Sequence, residues 1–180
     1  MTTLREILWQ ILGFGVLPAW LLAGAADWLC HRRSDIERTS GRHESALHML
    51  LHAEIAVPVL LTLWLEINAG LMVFMAACVL AHMLTSLHDT KYAQPRRFIS
   101  PFEQQVHSWL EMMPLFALVI VAALHRDVLE DPRWLPAPRA EAVPGPWSWL
   151  LPLAFAAGAA SIFEEYLRGR RTPPTTASPG

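Results

Sequence analysis

Five apolar stretches alternate with polar segments along the chain. They cover approximately residues 7–30, 44–66, 71–88, 103–125 and 147–166. Each is long enough for a helix to cross a hydrocarbon core of about 30 Å. The pattern predicts an all-α, integral-membrane helical bundle with about five transmembrane helices. Residues 1–167 would form a single domain, and the basic, Thr-, Pro- and Ser-rich residues 168–180 would form a disordered cytoplasmic tail.

Local signals define several helix boundaries. The segment 67–70 (INAG) predicts a tight turn between the second and third spans. Ser100, followed by Pro101 and then by Glu103, has the pattern of a helix start with a serine N-cap. Small residues at 154, 158 and 161 predict that the fifth helix packs closely against a neighbour.

Composition supports the membrane assignment. The chain is 53% hydrophobic and only 17% charged, whereas soluble domains carry about 25% charged residues. A net charge of −2 and the absence of any nucleic-acid-binding motif argue against a nucleic-acid partner. Two cysteines are too few for a disulfide framework or a zinc ribbon. Eight tryptophans suit membrane interfaces, but eight histidines require another explanation.

The distribution of basic residues predicts the orientation. One set of connecting segments, after spans one and three and at the C-terminus, holds ten Lys and Arg residues: Arg32, Arg33, Arg38, Arg42, Lys91, Arg96, Arg97, Arg168, Arg170 and Arg171. The other side holds four: Arg5, Arg126, Arg133 and Arg139. The positive-inside rule then places the N-terminus outside and the C-terminus in the cytoplasm. The expected location is a bacterial inner membrane.

The start of the second span carries a stripe of ionisable residues. Glu44, His48 and His52 are spaced four apart, and each step of four rotates a helix by only about 40°, so the three share one face. Ionisable groups inside a membrane helix are costly and usually mark a functional site. We therefore expect this stripe to form one wall of a metal site.

Three other spans carry matching sets at the same end. The first span ends with Asp27 and His31, the third with His82 and Asp89, and the fourth begins with Glu103, His107 and Glu111. The basic residues alone predict the orientation, so the shared depth of the histidines is independent support for a site at this end. The candidate metal ligands are Asp27, His31, Glu44, His48, His52, His82, Asp89, Glu103, His107 and Glu111. Four of the five helices would thus form a polar metal-site core.

Five carboxylates brought together cannot all ionise without nearby positive charge. Two divalent ions would supply it, and ligands without thiolate favour iron, with manganese or zinc as alternatives. Some of these residues would orient the ligands rather than bind directly. Simpler interpretations remain open: Asp27 and His31 as an interfacial pair, Glu103 as a capping residue, or the whole set as a structural polar network. The role of Glu54, which lies off the stripe, stays open.

The pair His48-x-x-x-His52 resembles the HxxxH element of the membrane histidine-box desaturases and hydroxylases. Glu and His residues on four helices also resemble the ferritin-like di-iron bundle, in which the usual spacing is i,i+3; here Glu44/His48 and Glu103/His107 are at i,i+4. Both resemblances imply a non-haem di-iron centre.

The first functional hypothesis is a membrane di-iron-type oxygenase, hydroxylase or desaturase that acts on a lipid-like substrate at the cytoplasmic face. Its electrons would come from a separate donor, because the chain has no flavin or nicotinamide fingerprint. Arg32, Arg33, Arg96 and Arg97 would hold a phosphate headgroup or would simply follow the positive-inside rule.

The second hypothesis is a zinc-dependent membrane lipid hydrolase, in which zinc lowers the pKa of a bound water. Glu44 and Glu111 are the candidate catalytic residues, either of which would serve as general base. The third is a non-enzymatic metal-binding membrane protein.

Overall fold

The computed structural model describes residues 2–130, 132–143 and 145–171. Within those ranges it contains five long helices and no strand. They are α1 (Leu4–Arg33), α2 (Gly41–Leu61), α3 (Ala69–Ala93), α4 (Pro101–Leu124) and α5 (Trp147–Arg171). All five are long and apolar enough to cross a membrane. Helix α5 includes residues 168–171, which the sequence assigned to the tail; residues 172–180, the rest of that predicted disordered tail, lie outside the described residues.

Side-chain caps fix where three helices begin. Thr3 and Glu6 form a capping box at the start of α1. Asn68 accepts a hydrogen bond from the Leu71 N–H at 3.0 Å and so starts α3. Ser100 accepts one from the Glu103 N–H at 3.1 Å, as the sequence predicts for α4. This cap uses the backbone N–H of Glu103, so the contact leaves the Glu103 side chain available for other partners.

Helix α1 contains a π-helical stretch at Ile11–Val16. Pro18 lies two residues after this stretch, and a proline cannot donate to the carbonyl group of the residue four positions earlier, which is Phe14. The helix nevertheless continues through this region to Arg33.

The helices form a ring in the order α1, α4, α3, α2, α5. Helix α2 packs extensively against α3 and α5, and α1 packs against α4. The contact between α1 and α5, which closes the ring, is the least extensive of the five neighbouring contacts. Gly158 brings α5 close to α2, because a Cβ atom there would lie 2.7 Å from His52 Cε1. The small residue is needed for this approach, as predicted.

The two ends of the bundle differ in chemistry. At one end, a buried apolar core joins Leu12, Leu71, Met75, Val121 and Leu124 of α1, α3 and α4. A connecting segment covers this end: the Glu66 N–H donates to Ala137 O, and the Arg139 N–H donates to Trp64 O. Gly70 lies so close to the Trp134 carbonyl that a Cβ atom would clash with it. Most of the predicted metal ligands lie at the opposite end.

The outer surface of the bundle is apolar. Large hydrophobic side chains on several helices, such as Phe14, Leu22, Leu84 and Leu153, are more than half exposed. A water-soluble domain rarely exposes so many of them together. This surface is compatible with an integral membrane protein.

Candidate metal centre

Seven of the ten predicted ligands meet at one end of the bundle. They are Asp27, His31, Glu44, His48, Asp89, Glu103 and His107. They come from α1, α2, α3 and α4, and each lies near the end of its helix. Two residues that the sequence analysis did not place there, Glu165 of α5 and Arg97 of the α3–α4 connection, complete the group. We call these nine residues the polar cluster.

Glu165 holds two imidazoles in parallel. Its Oε2 atom lies 3.4 Å from His31 Nδ1, and its Oε1 atom lies 3.4 Å from His48 Nδ1. The Ser45 hydroxyl donates to Oε1 at 2.8 Å and fixes the carboxylate. The two rings stack with centroids 4.4 Å apart and an interplanar angle of 8°. A carboxylate on Nδ1 is a common way to orient a metal-binding histidine, because it leaves Nε2 free as the ligand.

The two Nε2 atoms face other carboxylates. His48 Nε2 lies 3.4 Å from Asp89 Oδ2 and 3.8 Å from Glu44 Oε1. His31 Nε2 lies 3.5 Å from Asp27 Oδ1 and 3.9 Å from Glu103 Oε1. These separations, like the 3.4 Å contacts of the two Nδ1 atoms with Glu165, are longer than those of good hydrogen bonds. They leave room for a cation between the atoms.

His107 joins the cluster from α4. Its Nε2 atom lies 2.8 Å from Asp27 Oδ1, and its ring lies edge-on to that of His31, with centroids 5.9 Å apart. Asp27 therefore stands between His31 and His107, on the helix that carries His31. The i,i+4 pair of the first span is part of the cluster in the structure.

Arg97 forms the back of the cluster. Its Nη2 atom donates to Glu44 Oε1 at 2.7 Å, and its Nη1 atom lies 2.6 Å from Glu103 Oε1. All three side chains are almost completely buried. Burial alone would lower the pKa of Arg97, but the hydrogen bonds and charges of Glu44 and Glu103 raise that pKa above its ordinary value. Arg97 is therefore a permanent positive charge and is not available to a phosphate headgroup.

The buried donor atoms fit a metal ion. Within the polar cluster, five buried atoms of a type that binds metals make no hydrogen bond: Asp27 Oδ1, His31 Nε2, His48 Nε2, Asp89 Oδ1 and Glu103 Oε1. Two of the five are ion-paired: Asp27 Oδ1 lies 2.8 Å from His107 Nε2, and Glu103 Oε1 lies 2.6 Å from Arg97 Nη1. Buried polar groups without hydrogen bonds are costly. Two groups of three residues, Asp27–His31–His107 and His31–Glu44–His48, have ligand atoms within 4.8 Å of one another and could hold a metal ion.

The charge of the polar cluster also favours the binding of cations. With the five carboxylates ionised and the imidazoles neutral, the single guanidinium leaves four negative charges without compensation. Buried charges are normally paired or bound to metals. The cluster therefore needs added cations or protons.

Three predicted ligands lie outside the cluster. The His52 Nε2 group donates to Phe155 O of α5 at 2.9 Å. His82 Nδ1 lies 3.3 Å from Leu51 O and 3.9 Å from Glu54 Oε2. Together with Glu111, these residues instead line a cavity of about 470 Å³ that begins at the cluster. Asp27, His31, His48, Asp89, His107 and Glu165 also line it, whereas Glu44, Glu103 and Arg97 lie behind them.

Glu54 has a partner between α2 and α3. The Thr85 hydroxyl donates to Glu54 Oε1 at 2.8 Å, one to two turns from the polar cluster. His43 and His88 lie on the outside, where His43 contacts the ring of Tyr92. None of these three belongs to the polar cluster.

The sequence contained a signal for Glu165 but hardly any for Arg97. Glu165 lies near the inner end of the fifth span, at the depth that selected the other candidates. The same depth criterion, applied to that helix, would have included it. Arg97 lies among ordinary loop arginines, and only the fold of the connection shows that it turns inward.

Comparisons of the chain with protein-family models, curated proteins and solved structures found no significant match. The chemistry of the polar cluster is therefore inferred from its own donor atoms, charges and surroundings.

Proposed function

We propose that this protein is an integral-membrane, metal-dependent oxidoreductase that acts on a lipid-like substrate. The observation that carries the proposal is a largely buried cluster of five carboxylates and three imidazoles that opens directly into a cavity with mostly apolar walls. The cluster offers oxygen and nitrogen atoms that could bind a metal and make no hydrogen bond. Together with the apolar cavity, they suit a metal-dependent reaction on a hydrocarbon.

Two divalent ions, which we propose to be iron, would account for the charge. They would neutralise the four uncompensated negative charges, and oxygen and imidazole ligands suit iron, manganese or zinc. The residues that would hold them are the cavity-facing His31, His48, His107, Asp27 and Asp89. Glu44 and Glu103 would complete the set from behind, and Glu165 would orient His31 and His48.

When bound, a pair of iron ions would supply dioxygen activation. In a hydroxylation, one oxygen atom of O₂ enters a C–H bond and the other leaves as water, with two electrons and two protons supplied by a separate reductase or quinol. In a desaturation, two hydrogens leave the substrate and both oxygen atoms leave as water, with the same two electrons and two protons supplied.

The chain supplies positioning and proton transfer. Glu44 is held by Arg97 and is poorly placed to accept a substrate proton. Glu111 lines the cavity and is the better candidate for a proton donor or acceptor. The site would lie at the cytoplasmic face, with the N-terminus outside and the C-terminus inside.

A zinc-dependent lipid hydrolase is the second candidate. The group Asp27–His31–His107 offers three ligands beside the cavity, and three protein ligands with an open position are typical of catalytic zinc. Glu111 would then act as general base towards the bound water. A single zinc ion would leave part of the negative charge of the cluster for protons to neutralise.

Metal analysis of the detergent-purified full chain separates these functions. Two irons per chain, with an optical and Mössbauer signature that changes on exposure to O₂, would support the oxidoreductase, and one zinc would support the hydrolase. The double variant His31→Ala/His48→Ala should lose the metal, and His43→Ala should keep it. A chain without metal after growth in iron, manganese and zinc would overturn both proposals.

Lipid mass spectrometry then tests the reaction. Cells that express the native chain should contain lipids heavier by one oxygen atom or lighter by two hydrogen atoms than cells that express the His31→Ala/His48→Ala variant. Shortened or deacylated lipids would instead indicate hydrolysis. Identical lipids in both cells, with the metal present in the native chain, would contradict the enzymatic proposals and favour a non-enzymatic metal-binding protein.

A further inference from the structure

The cavity beside the polar cluster is large enough for a ligand. Its volume of about 470 Å³ lies in the range of about 300–1,000 Å³ that is typical of small-molecule sites. All five helices line it. Away from the cluster its walls are mostly apolar, with Leu17, Leu21, Ile55, Leu151 and Ile162 among the lining residues. A ligand that fills this space would be a hydrocarbon with its reacting part at the polar end.

The cavity opens on the side of the bundle. Gly24 and Ala25 of α1 and Ala157 of α5 line the cavity and are also exposed on the outer surface. These residues flank the least extensive helix contact of the ring. They have no side chain beyond Cβ, and a Cβ added at Gly24 would meet no atom within 4 Å. We call this opening the α1–α5 seam.

An aromatic pair closes the seam on the side away from the cluster. Trp20 of α1 and Phe155 of α5 pack edge to face, with ring centroids 6.4 Å apart. Gly24 lies one turn further along α1, towards Asp27 and His31. The opening therefore lies between this aromatic pair and the polar cluster, within the apolar length of both helices.

The surroundings of the seam select what can enter. Leu22 of α1 and Leu153 of α5, on the two helices that form the seam, are 71% and 61% exposed on the outside of the bundle. In a bilayer these side chains would face acyl chains, where no water competes for the opening. In a bilayer, the groups that meet the seam are therefore the hydrocarbon chains of lipids.

We propose that one hydrocarbon chain of a bilayer lipid enters the cavity sideways through the α1–α5 seam and reaches the cavity-facing imidazoles. The consequence for catalysis rests on the proposed function, because it makes this chain the substrate. Binding of the chain does not require the metal.

Photo-crosslinking in vesicles tests the route. The full chain is reconstituted into phosphatidylcholine vesicles that contain a phosphatidylcholine with a diazirine in one acyl chain, and labelled peptides are mapped after irradiation. Lipids around the protein will label outer residues such as Leu22 and Leu153. Ile55 is 4% exposed and lines the cavity, so its labelling requires a chain inside. We expect labelling of Ile55 as well as of the outer residues.

A matched pair of variants tests the seam. Gly24→Phe should fill the opening and abolish labelling of Ile55 while outer labelling persists. Gly15→Phe is the control, because Gly15 is on the same helix, is also exposed with nothing within 4 Å of an added Cβ, and does not line the cavity. It should keep both kinds of labelling. Ala157→Phe blocks the seam from the other helix if Gly24→Phe does not fold.

Two results would overturn the route: no labelling of Ile55 in the native chain, or undiminished labelling in folded seam variants. Repeating the experiment after metal removal by a chelator keeps the two proposals separate. Internal labelling in a chain that never binds metal would refute the proposed function and leave the lipid route standing.

Discussion

Glu165 Oε2 lies 3.4 Å from His31 Nδ1, and this contact connects the last helix of the chain to the first. The same carboxylate reaches His48 on α2. Glu165 thus sets the orientation of two imidazoles at once and turns both Nε2 atoms towards the other carboxylates.

The substitution Glu165→Gln should weaken metal binding without unfolding the chain. An amide keeps the shape of the side chain but provides only one acceptor oxygen for two imidazole N–H groups. Loss of a partner of this kind typically reduces metal affinity by about 10–100-fold. Metal titration of the purified protein measures the change. Glu164→Gln is the matched control, because Glu164 is the adjacent residue, is about half exposed and pairs with Arg32 and Arg168; equal losses in both variants would contradict the orienting role.

His48→Ala and His52→Ala should behave differently although both residues lie on one stripe. His48 belongs to the polar cluster, whereas the ring of His52 is hydrogen-bonded to Phe155 O. Metal content should fall in His48→Ala and should be retained in His52→Ala. Elemental analysis of the two purified variants provides the measurement. Retention of metal in His48→Ala would remove His48 from the ligand set.

Replacing Arg97 by Leu should destabilise the protein strongly. It would leave Glu44 and Glu103 buried without their counter-charge, and breaking a buried ion pair from one side costs about 3–5 kcal/mol. Thermal unfolding in detergent measures the loss. Arg96→Leu is the control, because Arg96 is exposed and its guanidinium lies over Tyr92. A similar, small effect of both substitutions would show that Arg97 is not a structural charge.

A methyl group at Gly70 should destabilise the end of the bundle opposite the polar cluster. The new Cβ would clash with the Trp134 carbonyl, and overpacking of this kind costs about 1–3 kcal/mol. Gly24→Ala should leave stability unchanged or slightly higher, because its Cβ meets nothing within 4 Å and alanine favours helix over glycine by about 1 kcal/mol. Thermal unfolding should therefore occur at a lower temperature in Gly70→Ala but not in Gly24→Ala, and metal content should be unaffected in Gly70→Ala.

The orientation has its own test. A reporter inserted after Arg38 should be cytoplasmic, and one inserted after Glu141 should be outside, because the basic residues concentrate on the first side. Protease protection of both insertions in sealed vesicles reads this out. The reverse pattern would invert the predicted topology without changing the geometry of the cluster.

The helical arrangement could be predicted from the sequence because apolar length and i,i+4 spacing are local properties. They predicted that His31, His48 and His107 lie at the same end of three helices. The distinction between His48 and His52 was not predictable in this way. The two differ by only about 40° around α2, and what separates them is the close approach of α5 at Gly158, which is a property of packing.

Glu165 and Arg97 were not predicted because their places in the cluster depend on tertiary structure and not on local sequence pattern. Glu165 shares the depth of the cluster, but its partners, Ser45, His31 and His48, are more than a hundred residues away in the chain. The inward turn of Arg97 depends on the conformation of a short connection between α3 and α4. Periodicity carries no information about such a connection.

The ring has a consequence for biosynthesis. Its closing contact joins the first span to the last, so the ribosome has already made the residues of α1 to α4 when Glu165 emerges. Chains fold progressively from the N-terminus during synthesis, and the nascent bundle therefore remains open along one side until α5 is inserted. Binding of the proposed metal ions is therefore expected to be a late step in maturation, because the cluster lacks the Glu165 carboxylate until the final helix is in place.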